Sequence, residues 1–254
     1  MGRGTIRIYQ SDNPNNSLTI KAPLFVEETN KTGYPIVRIT KQKIGKAKQR
    51  VIGYVENNTY VNIDIYNAIL TDSKTNKIWI EFGVTRDAFA VLKEDSHDKY
   101  VILTNFAFEP KDKTINHYTA KFMEAYPYKP IKNDTPALKL TQKGSEVMYA
   151  SANKEAVSLG YRTKEDVAKG VMIHVGGIYK NENFNDYVVA ASEGCFGIVN
   201  DNNSSKNPSD ELTIKIMEKI KELSNNSVEQ KGHIRVIIEK REDNEIPNKI
   251  RHNY

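Results

Sequence analysis

The sequence contains one cysteine in 254 residues, which excludes an intramolecular disulfide framework. Long apolar runs are absent as well, and no segment approaches the roughly 20 residues that a membrane-spanning helix needs. The first ten residues, MGRGTIRIYQ, have neither the apolar segment nor the small-residue cleavage site of a signal peptide. A glycine-rich phosphate loop and a dinucleotide-binding fingerprint are also missing. We therefore expect no membrane span, no signal peptide and no cofactor.

Basic residues outnumber acidic ones, but they are not gathered in one place. The net charge is +5 and the pI is about 9.0. The densest basic run, residues 41–50, has no aromatic side chains between its charges, whereas nucleic-acid-binding surfaces often interleave the two. A solvated β-hairpin or loop accounts for this run, and an affinity for an anionic polymer such as a bacterial wall or nucleic acid is the alternative. We expect no nucleic-acid partner.

Alternating apolar and polar residues predict a fold made mainly of β-strands. Short alternating segments follow one another between residues 4 and 110 with polar turns between them, a pattern typical of a β-sandwich or barrel. They lie at residues 5–9, 18–20, 36–39, 51–55, 60–66, 77–82, 88–92 and 100–103. Later strands are expected at residues 170–173, 188–191 and 232–239.

Helical signals are concentrated in the second half of the chain. Asn207 suits a helix cap and Pro208 the first helical position, so we predict one long helix over residues 207–223. Its buried stripe would consist of Leu212, Ile216, Ile220 and Leu223. A shorter helix is predicted at residues 118–126, where Pro127 would end it. The tail from Arg241 onward is expected to be frayed. The fold class is therefore α+β with a mainly β core.

The cysteine lies in a glycine-rich segment that follows a histidine. Cys195 stands in the segment SEGCFG, residues 192–197, and His174 stands 21 positions upstream in IHVGG, residues 173–177. A thiol titrates near ~8.5 and needs a base to become a nucleophile at neutral pH. The neighbouring glycines Gly176, Gly177 and Gly194 would let backbone N–H groups approach a developing oxyanion. The pattern indicates acyl transfer, with a structural cysteine beside a core histidine as the alternative.

These two segments resemble the L,D-transpeptidase family. Its members carry a His-Gly-type segment, then Ser/Thr-His-Gly-Cys, a hydrophobic residue and Asn or Arg. Here seventeen residues separate His174 from SEGCFG, and the Ser, the Gly, the Cys and the hydrophobic residue match. Glu193 stands where the second histidine is usual, which is similar to a phage-associated branch with Thr-Glu-Gly-Cys, and Gly197 stands where Asn or Arg is usual. The resemblance covers about thirty residues.

The resemblance implies a β-sandwich or barrel-like catalytic domain that acts on peptidoglycan stem peptides as a transpeptidase, a carboxypeptidase or both. Cys195 would be the nucleophile and His174 its base, with the carbonyl of Val175 orienting the second ring nitrogen. Backbone N–H groups around Gly194 would bind the oxyanion. The expected substrate-binding residues are Ser192, Glu193, Gly176 and Gly177. No metal is expected, because the other histidines lack ligand spacing to Cys195.

The implied substrate also predicts where the protein works. Peptidoglycan lies outside the cytoplasm, so we expect action in the periplasm or cell wall after export without a signal peptide. An antibacterial effector delivered by a secretion system, with an immunity or delivery protein as partner, fits this expectation, and so does a phage enzyme. Residues 1–110 are expected to form a β-rich N-terminal portion and residues 111–254 the catalytic portion, and the sequence leaves open whether they are one domain.

Two further interpretations stay open. Sortases also place a histidine before a cysteine in a β-barrel and add an arginine on a later strand, a role that Arg235 would take here. The other is a non-enzymatic wall-binding or structural module, such as a phage tail part or an adhesin, on the same scaffold. Papain-like enzymes are disfavoured because their cysteine precedes the histidine.

Overall fold

The structure, a computed structural model, describes residues 33–51, 60–95, 97, 99–111, 115–125, 135–151, 153–158, 160, 167–176, 179–180, 187–188, 194–199, 209–247 and 249–253. The strands predicted at residues 5–9 and 18–20 lie outside these ranges, and so does most of the segment 51–55. Among the expected site residues, Gly177, Ser192 and Glu193 also lie outside them.

Strands dominate the described residues, so the predicted mainly β fold is confirmed. The strands are β1 (Pro35–Arg50), β2 (Tyr60–Asp72), β3 (Ile78–Thr85), β4 (Phe89–Asp95), β5 (Tyr100–Asn105), β6 (Ile115–Met123), β7 (Ala137–Thr141), β8 (Val147–Tyr149), β9 (Val167–Lys169), β10 (Met172–Val175), β11 (Tyr179–Lys180), β12 (Tyr187–Val188), β13 (Phe196–Val199), β14 (Arg235–Glu239) and β15 (Lys249–Asn253). The helices are α1 (Lys154–Ser158) and α2 (Ser209–Asn226), and Asp243–Glu245 form a 3-10 turn.

Eight of these strands close into a barrel in the order β1-β14-β6-β7-β10-β13-β3-β2. The β1–β14 and β10–β13 pairs are parallel and the other pairs are antiparallel. Alternate residues point inward and fill the barrel with aliphatic and aromatic side chains. These include Val37, Ile39, Phe82, Val84, Leu138, Leu140, Ile173, Phe196, Ile198, Val236 and Ile238. Strands from both sides of residue 110 thus build one core.

Helix α2 adds its apolar face to the barrel core. Ile216, Met217, Ile220 and Leu223 are buried in the same cluster, and Leu212 packs against it at the edge. The helix contacts β1, β7, β10 and β13, so it lies against the pair of strands that carry His174 and Cys195. It ends at Asn226 rather than Leu223, so Ser224, Asn225 and Asn226 extend it beyond the predicted apolar stripe.

A second sheet, in the order β15-β5-β4, covers the far half of the β1–β2 hairpin. The core between them contains Ala47, Val61, Ile63, Ile65, Phe89, Val101 and Leu103. The basic run at residues 41–50 is therefore part of a hairpin, as predicted, but it is not solvated throughout. Ala47 and Gln49 are buried, while Lys43 and Lys46 both pair with the carboxylate of Asp64.

Two predictions for the second half of the chain are wrong. Residues 118–125 do not form the predicted helix, because Tyr118 and Ala120 are buried and alternate with exposed Thr119 and Lys121 along strand β6. The period of two matches a strand with one face in the core. The tail is not frayed either: Arg241 is fully buried, and β15 beyond it pairs with β5 over five residues.

Within the described residues, no helix combines the length and the apolar character that crossing a membrane requires.

Candidate active site

His174 and Cys195 are carried by two neighbouring parallel strands. Strand β10 pairs with β13 so that Ile173 lies beside Phe196 and His174 beside Gly197. Ile173 and Phe196 belong to the barrel core. Because side chains alternate along a strand, His174 and Gly197 point to the outer face of the barrel. Cys195 directly precedes β13 at its N-terminal end.

The His174 ring is held by the carbonyl of its own neighbour. Nδ1 lies 2.6 Å from the Val175 carbonyl oxygen, and the residue is 1% exposed. A carbonyl only accepts hydrogen bonds, so Nδ1 donates its proton and Nε2 keeps the lone pair. This is the contact that the resemblance implied for Val175.

Burial lowers the pKa of His174 to about 4, and the hydrogen bond to Val175 offsets only part of that change. The cause is the loss of solvation that an imidazolium ion would suffer in this position. At neutral pH the ring is therefore an uncharged base with a fixed tautomer. A resting ion pair between a thiolate and an imidazolium is disfavoured at such a site.

Cys195 is half-buried and its thiol contacts the start of β10. The Met172 amide donates a hydrogen bond to Sγ at 3.4 Å, and Sγ lies 3.9 Å from the Gly170 carbonyl oxygen. The amide contact favours the thiolate, since it places a positive dipole end against the sulfur. Met172 and His174 are two residues apart on the same face of β10, about 6.6 Å along the strand. Hydrogen-bonding reach between Nε2 and Sγ stays a prediction.

Three glycines shape the backbone here, in two different ways. Gly194 has φ +86°, a conformation that favours glycine and turns the chain just before the thiol. A Cβ on Gly176 would lie 2.5 Å from the Ile198 carbonyl oxygen, and one on Gly197 would lie 2.8 Å from Thr85 Oγ1 and 2.9 Å from Gly176 Cα. Gly176 and Gly197 therefore allow the close packing of β10, β13 and β3. A side chain as large as Asn or Arg at position 197 would force these strands apart.

The structure places His174, Val175 and Gly176 at the C-terminal end of β10, and Gly194 and Cys195 just before β13, with the thiol at the start of β10. Its described residues do not include Ser192, Glu193 or Gly177. Arg235 lies on β14, which is separated from β10 by β6 and β7. That position is not beside the cysteine strand and is unfavourable to the sortase-type interpretation. Among the described residues, no group of three His, Cys, Asp or Glu side chains could hold a metal ion.

Sequence reasoning missed a buried network of charged side chains. Arg241 pairs with Asp87 at 2.7 Å and with Glu109 at 3.0 Å, and Arg86 pairs with Glu109 at 3.2 Å. All four residues are at most 4% exposed. The partners are far apart in sequence, and the one available signal was the charged pair Arg86–Asp87 inside the apolar segment 82–92.

The chain was also compared with known proteins: no protein-family model matches it, and no curated protein or solved structure does so either.

Proposed function

We propose that this chain is a cysteine acyl-transfer enzyme that cleaves or exchanges peptidoglycan stem peptides, as an L,D-transpeptidase, an L,D-carboxypeptidase or both. The observation that carries the proposal is the His174–Val175 hydrogen bond of 2.6 Å on the strand next to the thiol. It fixes the tautomer in which Nε2 is a base, on the same face of the barrel as Cys195. The resemblance of the two segments supplies the substrate class.

The proposed first step forms a thioester. His174 Nε2 takes the thiol proton while Sγ attacks the scissile carbonyl carbon, and the carbonyl oxygen becomes an oxyanion. Backbone N–H groups at Gly194 and Cys195 would stabilise that oxyanion by roughly 3 kcal/mol per well-placed donor. The intermediate collapses when the C–N bond breaks and the leaving amine takes the proton from the imidazolium.

The second step releases the acyl group. His174 removes a proton from water or from an incoming amine, which attacks the thioester carbon and expels the thiolate. Sγ then regains the proton from the imidazolium. Water gives a carboxypeptidase and an amine gives a transpeptidase, so the acceptor alone decides the outcome.

Turnover of isolated stem tetrapeptides, followed by mass spectrometry with and without an added amine acceptor, tests this proposal. Loss of the terminal D-residue or its exchange for the amine is the expected result. Folded protein that leaves every stem peptide intact over days would contradict the catalytic role.

The rival function is a wall-binding or structural module without turnover. The burial of His174 at 1% exposure favours this second candidate, because core histidines are typically sealed from solvent. Iodoacetamide separates the two. A catalytic Cys195 should be alkylated faster at pH 7 than the same thiol in urea-unfolded protein, since the Met172 amide stabilises its thiolate, whereas a structural thiol should react more slowly.

The site of action follows from the substrate. We propose that the protein works in the periplasm or cell wall, as a delivered antibacterial effector or a phage enzyme with a delivery or immunity partner. Expression in a bacterium with and without an added export signal tests this. Rounding or lysis is expected in the exported form, and toxicity confined to the cytoplasmic form would contradict it.

A further inference from the structure

A groove of about 420 Å³ with basic and hydroxyl side chains in its lining lies on the outer face of the barrel, away from the catalytic pair. It runs across β14, β6 and β7, and we call it the Arg235 groove. Its lining includes Arg235, His233, Thr119, Thr141 and Lys143. None of the described residues that line it is acidic, so its charge is positive.

The two cations of the Arg235 groove are not neutralised within the described part of the chain. Arg235 stacks on the ring of Tyr34 at 5.3 Å, and neither Arg235 nor Lys143 has a carboxylate partner among the described residues. Tyr34 also packs edge-on against His233 at 4.5 Å. The buried Nε2 atom of His233 has no hydrogen-bond partner among the described residues. The Thr119 and Thr141 hydroxyls, 2.7 Å apart, add polar groups to the floor.

Strand register connects this groove to the thiol. Arg235 lies beside Thr119, and Thr119 lies beside Thr141. The Leu140 amide, one residue before Thr141, donates to the Val171 carbonyl at 2.9 Å. This antiparallel alignment puts Thr141 opposite Gly170, whose carbonyl oxygen lies 3.9 Å from Cys195 Sγ. One row of outward-facing positions thus leads from Cys195 to Arg235.

The length of this row suits a short peptide. Gly170 and Arg235 are three strand spacings apart, about 14 Å across the barrel wall. An extended peptide covers about 3.4 Å per residue, so the three residues that a cleaved tetrapeptide leaves on the thioester cover about 10 Å, and the Arg235 side chain reaches across the remainder. An arginine beside hydroxyl groups is well suited to bind a carboxylate through charge-assisted hydrogen bonds.

Building on the proposed function, we propose that the Arg235 groove binds a carboxylate of the acyl-donor peptide, several residues from the carbonyl that Cys195 attacks. Arg235 is the principal partner of that carboxylate, and Lys143 adds positive charge at the rim. The groove therefore selects acidic peptides and sets their direction across the barrel.

Calorimetry tests the proposal in the full chain carrying Cys195→Ala, in which no turnover occurs. The two ligands are the stem tetrapeptide and an analogue in which the carboxylate assigned to Arg235 is a carboxamide. Arg235→Gln should weaken tetrapeptide binding about tenfold, the size of one partly exposed charged hydrogen bond. The carboxamide analogue should bind weakly and lose nothing further in that variant. Arg251→Gln is the matched control, because Arg251 stacks on Tyr100 at 4.0 Å on the other sheet, and it should leave binding unchanged.

Several outcomes would contradict carboxylate binding in the Arg235 groove and leave the catalytic proposal unaffected. They are an unchanged dissociation constant in Arg235→Gln, equal binding of the carboxamide analogue, or tighter Arg235-dependent binding of inorganic phosphate than of the peptide. If Arg235→Gln does not fold, the exposed Lys143→Gln variant replaces it, and unchanged binding there would overturn the groove as well. If the thiol is inert and no turnover occurs, but peptide binding still depends on Arg235, the catalytic proposal is wrong and the binding proposal for the Arg235 groove is supported.

Discussion

Two polar clusters meet at the end of strand β3, and they differ in how their groups are held. On one side, the Thr85 hydroxyl donates at 3.4 Å to the carbonyl of Gly197 on β13, the strand that follows Cys195. The following residue, Arg86, enters the buried network with Glu109, Asp87 and Arg241. In the network each charged side chain pairs with one of opposite charge. The contacts of Cys195 Sγ include the Met172 amide nitrogen at 3.4 Å and the Gly170 carbonyl oxygen at 3.9 Å.

The electrostatics of the two clusters differ in the same way. Burial lowers the pKa of Arg241, but the charges of Asp87 and Glu109 raise it by more, so its pKa lies above the usual value. Burial lowers the pKa of Arg86 to about 10, because Glu109 offsets only part of that change and Arg241 repels it. Both arginines stay charged at neutral pH. At His174 burial outweighs the hydrogen bond to Val175, so the ring stays neutral. Removing one partner from such a buried network is costly for the fold, whereas the neutral His174 ring is free of charge and keeps a basic nitrogen.

The largest expected effect separates catalysis from stability at the thiol. Cys195→Ala should lower kcat/KM for stem tetrapeptides by at least about 10⁴-fold, since the attacking atom is gone. The free energy of unfolding should change by no more than about 1 kcal/mol, because the side chain is small and half-buried. Steady-state kinetics and urea denaturation check the two halves. Full activity in the variant would remove Cys195 from the mechanism.

The network should respond in the opposite way. Glu109→Gln leaves Arg86 and Arg241 with less negative charge in a buried position, and we expect it to lower the free energy of unfolding by about 3–5 kcal/mol. Activity per folded molecule should be unchanged. Glu146→Gln is the matched control, since Glu146 pairs with Lys139 at 2.6 Å while more than half exposed, and exposed pairs contribute about 0–1 kcal/mol. Equal losses in both variants would contradict the comparison.

The sequence could predict features that depend on neighbouring residues, but not contacts between residues far apart in the chain. The prediction for Cys195 and His174 rests on a local signal, namely two short segments in which glycines lie beside a thiol and a base. The mainly β fold was readable from alternation, which is also a local property. The charged network was not, because Arg241 meets Asp87 and Glu109 across 154 and 132 positions. The tail from Arg241 therefore looked polar and frayed, although its arginine is fully buried.

Strand β6 was misread for a related reason. Residues 118–126 contain several aromatics and end at a proline, which also suits a short helix. The choice depends on which neighbours cover the segment, and here β7 and β14 pair with it on both sides. Closure of the barrel could not be predicted from local sequence patterns either, because it pairs β1 with β14 across about 200 positions.

The pH dependence of stability sharpens the comparison at His174. Its pKa in the folded protein is about 4, below its ordinary value of 6.5. Between these values the unfolded chain binds a proton that the folded chain does not, so stability falls as the pH drops from 6.5 toward 4 and is complete above 6.5. The loss should reach about 3 kcal/mol at the acid end. Urea denaturation from pH 4.5 to 7.5 measures the slope. His174→Gln should reduce the slope, and His233, whose pKa is lowered by burial and by the charge of Arg235, should keep part of it. An equal slope in His174→Gln would assign the effect to other groups.

The smallest effect concerns Gly197, which lies where three strands pack closely. A Cβ at position 197 would lie 2.8 Å from Thr85 Oγ1 and 2.9 Å from Gly176 Cα, so β10, β13 and β3 would have to move apart. We expect Gly197→Ala to lower the free energy of unfolding by about 1–3 kcal/mol, the usual cost of overpacking. Thr85→Ala in the same chain should recover part of this loss, because it removes one of the two close contacts.

Urea denaturation of Gly197→Ala needs a control substitution that adds no overpacking. Gly144→Ala is unsuitable, since Gly144 has φ +77° and would be strained for another reason. Asn225→Ala serves instead, because Asn225 is exposed on α2, and exposed substitutions of this kind usually change the free energy of unfolding by no more than about 0.5 kcal/mol. If Gly197→Ala is as stable as the wild type, the three strands are not packed as closely as the structure describes, and Asn should then be tolerated at position 197.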